Sequence, residues 1–254
     1  MKFIAVSLHP ILVDQDAIKF AAVAVIDVLR ATTTIAHALA AGARDVVVCG
    51  EVEEAKQRAK GWWQCGTVLG GEREGLKIDG FQLGNSPTEY TPATVAGRAV
   101  FFTTTNGTRA FLKCREARRV FAASLVNRQA VVEALADERL IHIVCAGTRG
   151  EVTREDALAA GAIVRGLIDQ SHGECELDDE AAIVCDAWDR LLLSVADASA
   201  ESLDATLLTA LRNSHGGRNL IEIGMDADIV ASAQLDKIKL VGELDAPSMS
   251  LRVR

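Results

Sequence analysis

The segment 100–110 combines the end of a buried β-strand, a tight turn and the start of a helix. It opens with a valine and two phenylalanines, which suit a strand that is covered on both faces. Three threonines follow, and then Asn106 and Gly107, a turn pair in which both residues tolerate positive φ. We expect Thr108 to cap the following helix with its hydroxyl. Such a turn is either an ordinary capped connection or an anion site at a helix N-terminus.

Strands and helices alternate along the first two-thirds of the chain. The apolar runs lie at 22–26, 45–49, 68–69, 100–102, 119–122 and 141–145. This alternation predicts a three-layer α/β/α fold with a mostly parallel or mixed central sheet. No linker or shift in composition divides the chain, so we expect a single domain over 1–254. The remainder predicts helices, a glycine-rich loop at 214–219 and a late strand at 239–241.

The acidic charge balance limits the classes of partner. A net charge of -8 and a pI near 5.2 argue against nucleic acid or an anionic membrane as the main partner. No apolar stretch reaches the roughly 18 residues of a transmembrane helix. Asp14 and Asp16 interrupt the apolar N-terminal segment early, which predicts a first strand rather than a secretion signal and a cytoplasmic location. The six cysteines show no C-x-x-C spacing for a zinc or redox site.

Four predicted strands end in polar or glycine-rich loops. The carboxyl ends of parallel strands lie at one edge of a sheet, where ligands bind. We therefore expect these loops to meet and to form a site for a phosphorylated or carboxylated small molecule. The loops carry Asp27 with Arg30, Glu72 with Arg73, Thr104 with Thr105 and Asn106, and Gly147 with Thr148.

Asp27 is the most suggestive single residue, because it ends a buried strand. Its carboxylate could be a metal ligand, a nucleophile or a helix cap. Magnesium prefers carboxylate and water oxygens, which Asp27, Glu72, Glu155 and Asp156 could supply. The last two are equally explained as favourable charge in the first turn of a helix.

Three arginines could clamp an anionic group with their planar guanidinium forks. Arg30 and Arg73 follow two of the predicted strands, and Arg218 lies in the glycine-rich stretch beside His215. A surface salt bridge is the ordinary explanation for any one of them. The common phosphatase motifs are absent: Leu29 stands where D-x-D-x-T needs its second aspartate, and no C-x5-R loop is present.

Several motifs follow one another over nearly the whole chain. They are IDVLRATTT at 26–34, GGER at 70–73, GFQLGNSP at 80–87, TTTNGT at 103–108, CAGT at 145–148, EDALAAG at 155–161 and GRNL at 217–220. In this order they resemble the 2-phosphosulfolactate phosphatase (ComB-like) family.

The resemblance implies a magnesium-dependent phosphatase with an α/β/α fold outside the common phosphatase classes. Its substrate would be 2-phospho-3-sulfolactate, converted to 3-sulfolactate in a step of coenzyme M synthesis. Asp27, Arg30, Arg73 and Asn106 are then expected to be catalytic, and Asp27, Glu72 and Asp156 to hold Mg²⁺. The expected substrate-binding residues are Thr32, Asn85, Ser86, Thr104, Thr105, Gly107, Thr108, Gly147, Thr148 and Arg218.

Four questions stay open at this level. The substrate could be another phosphorylated hydroxy acid, and the protein could bind an anionic metabolite without turnover. The phosphorus could be attacked by water or by Asp27 itself. The chain could form a homo-oligomer, but these patterns do not determine its oligomeric state.

Overall fold

An eleven-stranded mixed sheet runs through the computed structural model, which describes residues 1–62, 66–195 and 200–254. One of the six cysteines, Cys65, lies outside these ranges. The strands are β1 (Lys2–Ser7), β2 (Ala22–Ile26), β3 (Asp45–Val48), β4 (Thr67–Arg73), β5 (Leu76–Lys77), β6 (Ala99–Thr103), β7 (Arg119–Ala123), β8 (Leu140–Cys145), β9 (Cys175–Leu177), β10 (Gly242–Asp245) and β11 (Ser250–Val253).

Helices cover both faces of this sheet. They are α1 (Gln15–Ile18), α2 (Ala31–Ala40), α3 (Val52–Lys60), α4 (Pro92–Val95), α5 (Gly107–Cys114), α6 (Arg128–Ala134), α7 (Arg154–Gln170), α8 (Asp179–Leu193), α9 (Ala200–Arg212), α10 (His215–Glu222) and α11 (Asp226–Ser232). Short 3₁₀ turns lie at Pro10–Leu12, Pro87–Glu89 and Leu125–Asn127. None of the helices in the described ranges combines the length and apolarity that crossing a membrane requires.

The two faces of β2 show why the fold has three layers. Ala24 and Ile26 pack into a core that includes α6, α7 and α8, whereas Val23 and Val25 pack into a core that includes α2 and α5. All four side chains are fully buried. Burial of a valine or isoleucine side chain contributes about 1.5–3 kcal/mol, so a strand that is apolar on both faces requires helices on both sides. The predicted α/β/α architecture is confirmed.

A hairpin occupies the middle of the sheet. The strand order is β5-β4-β6-β3-β11-β10-β7-β2-β8-β1-β9. The strands β4, β6 and β3 are mutually parallel, as are β7, β2, β8, β1 and β9. Strand β11 pairs antiparallel with β3, β10 pairs antiparallel with β7, and the two pair antiparallel with each other. These three reversals make the two parallel groups run in opposite directions.

The hairpin corrects two predictions. The strand predicted at 239–241 begins only at Gly242, because the Leu240 carbonyl accepts a hydrogen bond from Asn127 Nδ2 rather than from a neighbouring strand. The expectation that four strand ends share one edge assumed one strand direction, which the hairpin reverses. The loops meet for a different reason: α2 and α5 pack on the same face of the sheet and begin side by side. A Cβ built on Gly107 would lie 2.5 Å from Ala31 Cβ.

The predicted glycine-rich loop at 214–219 is wrong, because this segment forms helix α10. The Ser214 hydroxyl caps the helix by accepting a hydrogen bond from the Gly217 N–H. A Cβ on Gly217 would lie 1.9 Å from the Leu211 carbonyl oxygen, and one on Gly216 would lie 2.2 Å from Glu155 Oε1. The glycines therefore permit close packing of a helix rather than an irregular loop.

Candidate active site

A cavity of about 360 Å³ lies where the four predicted loops meet. Helix α10 and the residue after it complete its wall. The lining residues are Asp27, Leu29, Arg30, Glu72, Glu74, Gly75, Asn85, Thr105, Asn106, Thr148, Arg149, Gly216, Asn219, Leu220, Glu222 and Ile223. The structure thus brings together loops that are far apart in the sequence.

Asp27 is held rigidly at this cavity. Its backbone N–H donates to Thr32 Oγ1 over 2.9 Å, and the Thr32 hydroxyl donates to the Asp27 carbonyl over 2.8 Å. Asp27 Oδ1 accepts the Ala31 N–H at 3.2 Å, so the carboxylate does cap helix α2. The other oxygen, Oδ2, faces Gly107: a Cβ there would lie 2.8 Å from it. One oxygen thus fixes the carboxylate, and the second faces the start of α5.

The protonation of Asp27 is shifted by its surroundings. Burial raises the pKa of Asp27 to about 7, and the negative charges of Glu72 and Glu155 add to this effect. The Ala31 N–H and the charge of Arg30 act in the opposite direction but do not cancel it. A carboxyl group with this pKa can take up or release a proton near neutral pH.

The threonine turn differs from its prediction in two ways. Asn106 has φ of −111°, and neither it nor Gly107 has a positive φ. Helix α5 begins at Gly107, and the cap is reciprocal: Thr104 Oγ1 accepts the Thr108 N–H at 3.2 Å while Thr108 Oγ1 accepts the Thr104 N–H at 2.9 Å. Thr104 is therefore the residue whose hydroxyl caps the helix. Gly107 is required by its closeness to Asp27, not by its dihedral angles.

Two polar side chains of the cavity have atoms without partners. Thr105 Oγ1 and Asn85 Oδ1 are buried, and neither makes a hydrogen bond within the described part of the chain. Leaving a buried polar atom unpaired costs about 1–3 kcal/mol. Both residues line the cavity, so a polar ligand there would satisfy them.

Glu72 and Asp156 brace the loops through backbone N–H groups. Glu72 Oε1 and Oε2 accept the N–H groups of Thr105 and Gly75, each at 2.7 Å. Asp156 Oδ1 accepts the Val28 N–H at 2.9 Å, and its Oδ2 accepts the Gly147 N–H at 3.0 Å. Burial raises the pKa of Asp156 well above its usual range. Asp156 lies behind the cavity wall, whereas Glu72 forms part of it.

Glu155 has one carboxylate oxygen without a hydrogen bond, whereas both oxygens of its neighbour Asp156 accept one. Its Oε2 is buried and has no hydrogen-bond partner among the described residues, while Oε1 lies against Gly216. Burial raises the pKa of Glu155 above its usual range. The predicted metal set contained Asp156 instead. Two adjacent acidic residues at the start of a helix give no signal in the sequence of which one keeps an oxygen without a hydrogen bond.

The three arginines predicted for the site differ in their position and in their hydrogen-bond partners. Arg30 lines the cavity but is buried in an ion pair with Asp228 at 2.6 Å, and it also donates to the Gly75 carbonyl at 2.6 Å. Arg73 does not line the cavity, and it donates to Thr103 Oγ1 at 3.1 Å. Arg218 is exposed on α10 and donates to the Asn213 carbonyl, so its helix places Asn219 at the cavity instead.

Arg149 was absent from the predicted site. It lines the cavity, is exposed, and has a positive φ of 54°. The Arg149–Gly150 pair after the CAGT motif was its only signal, and such a pair by itself predicts no more than a turn.

The remaining predicted residues form the wall or lie behind it. Asn85, Thr105, Asn106 and Thr148 line the cavity. Thr32, Thr104, Thr108 and Gly147 hold the loops in place through the hydrogen bonds given above. The Ser86 hydroxyl donates to Asp228 Oδ1 at 2.5 Å and so supports the partner of Arg30.

The resemblance implies a magnesium ion, and the carboxylate oxygens near the cavity show whether the residues suit it. Asp27 Oδ2 and Glu155 Oε2 are carboxylate oxygens with free lone pairs, and their charges raise the pKa values of the buried carboxyls around them. A dication would remove this repulsion. No ready-made group of three His, Cys, Asp or Glu ligands occurs in the described ranges. Magnesium commonly takes only one or two carboxylates and completes its shell with water and substrate phosphate. The residues therefore fit Mg²⁺.

Comparison with known proteins gives one consistent result. A family model described as 2-phosphosulpholactate phosphatase matches residues 8–247. A protein of Prochlorococcus marinus (strain MIT 9313) named probable 2-phosphosulfolactate phosphatase is 39% identical over 224 residues, 87% of each chain. A protein of Symbiobacterium thermophilum with the same name is 40% identical over 218 residues, 85% of this chain and 88% of the relative.

Proposed function

The chain belongs to the 2-phosphosulpholactate phosphatase family, and from this membership we propose that it hydrolyses the phosphate ester of 2-phospho-3-sulfolactate to 3-sulfolactate. It is then a phosphoric monoester hydrolase. The observation that carries the proposal is a set of unpaired polar atoms. Those of Asn85 and Thr105 belong to residues that line the cavity with Asp27, and that of Glu155 belongs to a side chain packed against the lining residue Gly216. An apolar or empty cavity would leave these groups uncompensated.

The charge balance of the cavity supports magnesium dependence. Four carboxylates line it, on Asp27, Glu72, Glu74 and Glu222, against two arginines. One of the two arginines, Arg30, is already neutralised by its ion pair with Asp228. A substrate with phosphate, sulfonate and carboxylate groups would be repelled from such a cavity unless a cation were present.

We propose that Asp27 Oδ2 and Glu155 Oε2 hold Mg²⁺. The ion bound there supplies Lewis-acid chemistry that neutralises charge on the phosphate ester. Glu72 and Asp156 were also predicted as ligands. Their oxygens already accept two backbone N–H groups each, so in this proposal they fix the loops that carry the site.

The chain's own groups then position the reaction. Thr105 Oγ1 and the Asn85 and Asn106 side chains would contact the phosphoryl oxygens, next to the positive end of helix α5. Asp27 would orient the attacking water, because its carboxylate is fixed at the cavity by the Ala31 N–H. Direct attack of Asp27 on phosphorus is the alternative, and it would form an aspartyl phosphate.

We also propose a cytoplasmic location and a place in a synthesis of the coenzyme M type. Both proposals derive from the family resemblance and from the acidic composition of the chain. Its partners would be small anionic molecules rather than nucleic acid or membrane.

The test is a phosphate-release assay on chelator-treated protein. We expect 2-phospho-3-sulfolactate to be hydrolysed when Mg²⁺ is added back and not before. Tight calorimetric binding of this compound without phosphate release would instead identify a binding protein. A higher kcat/KM for another phosphorylated hydroxy acid would reassign the substrate.

A further inference from the structure

Two turns of the same shape present opposite charges to the cavity. Glu74 and Gly75 have φ of 52° and 82°, and Arg149 and Gly150 have φ of 54° and 85°. Two consecutive positive φ values are typical of a type I′ turn. In each turn the charged residue takes the first of these positions, where asparagine or glycine is usual, and lines the cavity. A bulky residue held at positive φ points to a function for its side chain.

The Arg149 turn is anchored on both sides, although its tip is exposed. Thr148 and Glu151 exchange two backbone hydrogen bonds of 3.0 Å at the base of the turn. Gly147 is tied to Asp156, and Glu151 Oε2 lies 3.3 Å from His215 Nδ1 on helix α10. The turn therefore holds the Cα of Arg149 at a fixed place on the cavity rim.

The Arg149 guanidinium is free to bind a ligand. It makes no hydrogen bond or ion pair with any residue in the described ranges, whereas Arg30 is committed to Asp228 and the Gly75 carbonyl. Arg73 and Arg218 bond to other parts of the chain and do not line the cavity. Among the described residues, Arg149 is thus the cavity arginine with its full hydrogen-bonding capacity available.

We propose that Arg149 binds the sulfonate group of the substrate. This inference rests on the proposed function, in which the phosphate lies at Asp27. The carboxylate is attached to the carbon that bears the phosphate, whereas the sulfonate is one carbon further away. The sulfonate is therefore the group that best reaches an exposed residue on the rim. A guanidinium fork can donate two parallel hydrogen bonds to two sulfonate oxygens.

The experiment compares two substrates that differ only in the sulfonate: 2-phospho-3-sulfolactate and 2-phospholactate. The variants are Arg149→Met, which removes the charge, and Arg149→Gly, which also relieves the positive φ and so guards against misfolding. We expect both variants to raise KM for the sulfonated substrate ~tenfold or more, with little change in kcat, because a charge-assisted contact is lost. KM for 2-phospholactate should change less than about twofold. Arg139→Met, an exposed arginine outside the cavity, is the matched control.

Three outcomes would overturn the assignment. An equal loss for the two substrates would move Arg149 to the carboxylate or phosphate, and no loss would remove it from binding. A selective loss in Arg218→Met but not in Arg149→Met would give the sulfonate to Arg218.

A calorimetric measurement separates this inference from the proposed function. If the wild-type protein released no phosphate from either substrate, the proposed function would fail. Binding of 3-sulfolactate and of lactate would then still be measured. Arg149→Met should weaken binding of 3-sulfolactate ~tenfold and leave that of lactate unchanged. Equal binding of 3-sulfolactate by the two proteins would overturn the inference by itself.

Discussion

Gly107 begins helix α5 directly against the carboxylate of Asp27: a Cβ on this glycine would lie 2.8 Å from Asp27 Oδ2. The same Cβ would lie 2.5 Å from Ala31 Cβ, at the start of helix α2. The two helices can begin this close together only because glycine has no Cβ atom. This closeness brings the positive end of α5 toward Asp27 Oδ2, the oxygen of that carboxylate that makes no hydrogen bond with the described residues.

Gly107→Ala should lower both stability and activity. The added methyl meets Ala31 Cβ, which cannot rotate away, so we expect a loss of about 1–3 kcal/mol in the free energy of unfolding. Asp27 Oδ2 should also move, and kcat/KM should fall. Urea denaturation and the phosphate-release assay measure the two effects. Gly61→Ala is the control, because its Cβ would lie 3.7 Å from the nearest atom. Wild-type behaviour of Gly107→Ala would show that the helix starts are less tightly packed.

Asp27→Asn should abolish turnover while the fold is retained. The amide oxygen of asparagine can still accept the Ala31 N–H, so the start of α2 is preserved. The negative charge that would hold Mg²⁺ is lost. Phosphate release and far-UV circular dichroism measure the two effects. A kcat within a few-fold of wild type would remove Asp27 from the chemistry.

The same substitution should make the metal-free protein more stable at alkaline pH. The Asp27 pKa is about 7 in the folded protein and about 3.9 in an unfolded chain, so folding favours the protonated form. Its stabilising contribution is complete below pH ~4 and is lost as the pH rises to ~7. Asp27→Asn should therefore gain roughly 2 kcal/mol on wild type between pH 5 and pH 8, measured by urea denaturation with a chelator. A difference that does not vary with pH would contradict the raised pKa.

Thr105→Val should lower activity without lowering stability. The valine keeps the branched shape, and the hydroxyl that it removes has no partner in the described chain. We expect an unchanged melting temperature and a kcat/KM that falls roughly tenfold, as for one lost hydrogen bond to a charged group. Thr104→Val is the matched contrast: its hydroxyl caps α5, and its loss should cost about 1 kcal/mol of stability. Unaltered kinetics in a stable Thr105→Val protein would exclude this threonine as a ligand.

Glu155→Gln should weaken magnesium binding. Mg²⁺ that binds only the folded protein raises the melting temperature, by an amount that depends on its dissociation constant. We expect the dissociation constant from such a titration to rise ~tenfold or more, because one of two anionic ligands becomes neutral. Glu72→Gln serves as the comparison: it should lower the melting temperature without Mg²⁺, because its amide nitrogen cannot accept the Gly75 or Thr105 N–H. A larger effect on Mg²⁺ binding in Glu72→Gln would transfer the ligand role to Glu72.

The parts of the fold that could be predicted are those with local causes. The strand before Asp27 is apolar on both faces, and the periodicity of helix α7 lies within the segment itself. The central hairpin could not be predicted, because β10 and β11 are short and their neighbours β7 and β3 are distant in the chain.

In the candidate site, too, only the residues whose role has a local cause could be predicted. Glycine is typical both of loops and of close contacts, so the sequence predicts a loop at Gly216 and Gly217 where the structure has a closely packed helix. Arg149 lines the cavity, whereas Arg218 donates to the Asn213 carbonyl. This difference depends on how helix α10 packs, which the sequence does not reveal. Asp27 could be predicted as a site residue because it directly follows an apolar strand, and that strand is visible in the local sequence.

The central position of the β10–β11 hairpin has a consequence for how the chain is made. Proteins are synthesised from the N-terminus at about 5–20 residues per second, so β3 and β7 leave the ribosome well before residues 242–253. Until then each of these strands has one unpaired side, where another chain could add a strand. The nascent protein therefore carries two open sheet edges in its middle, and these edges close only when its last two strands arrive.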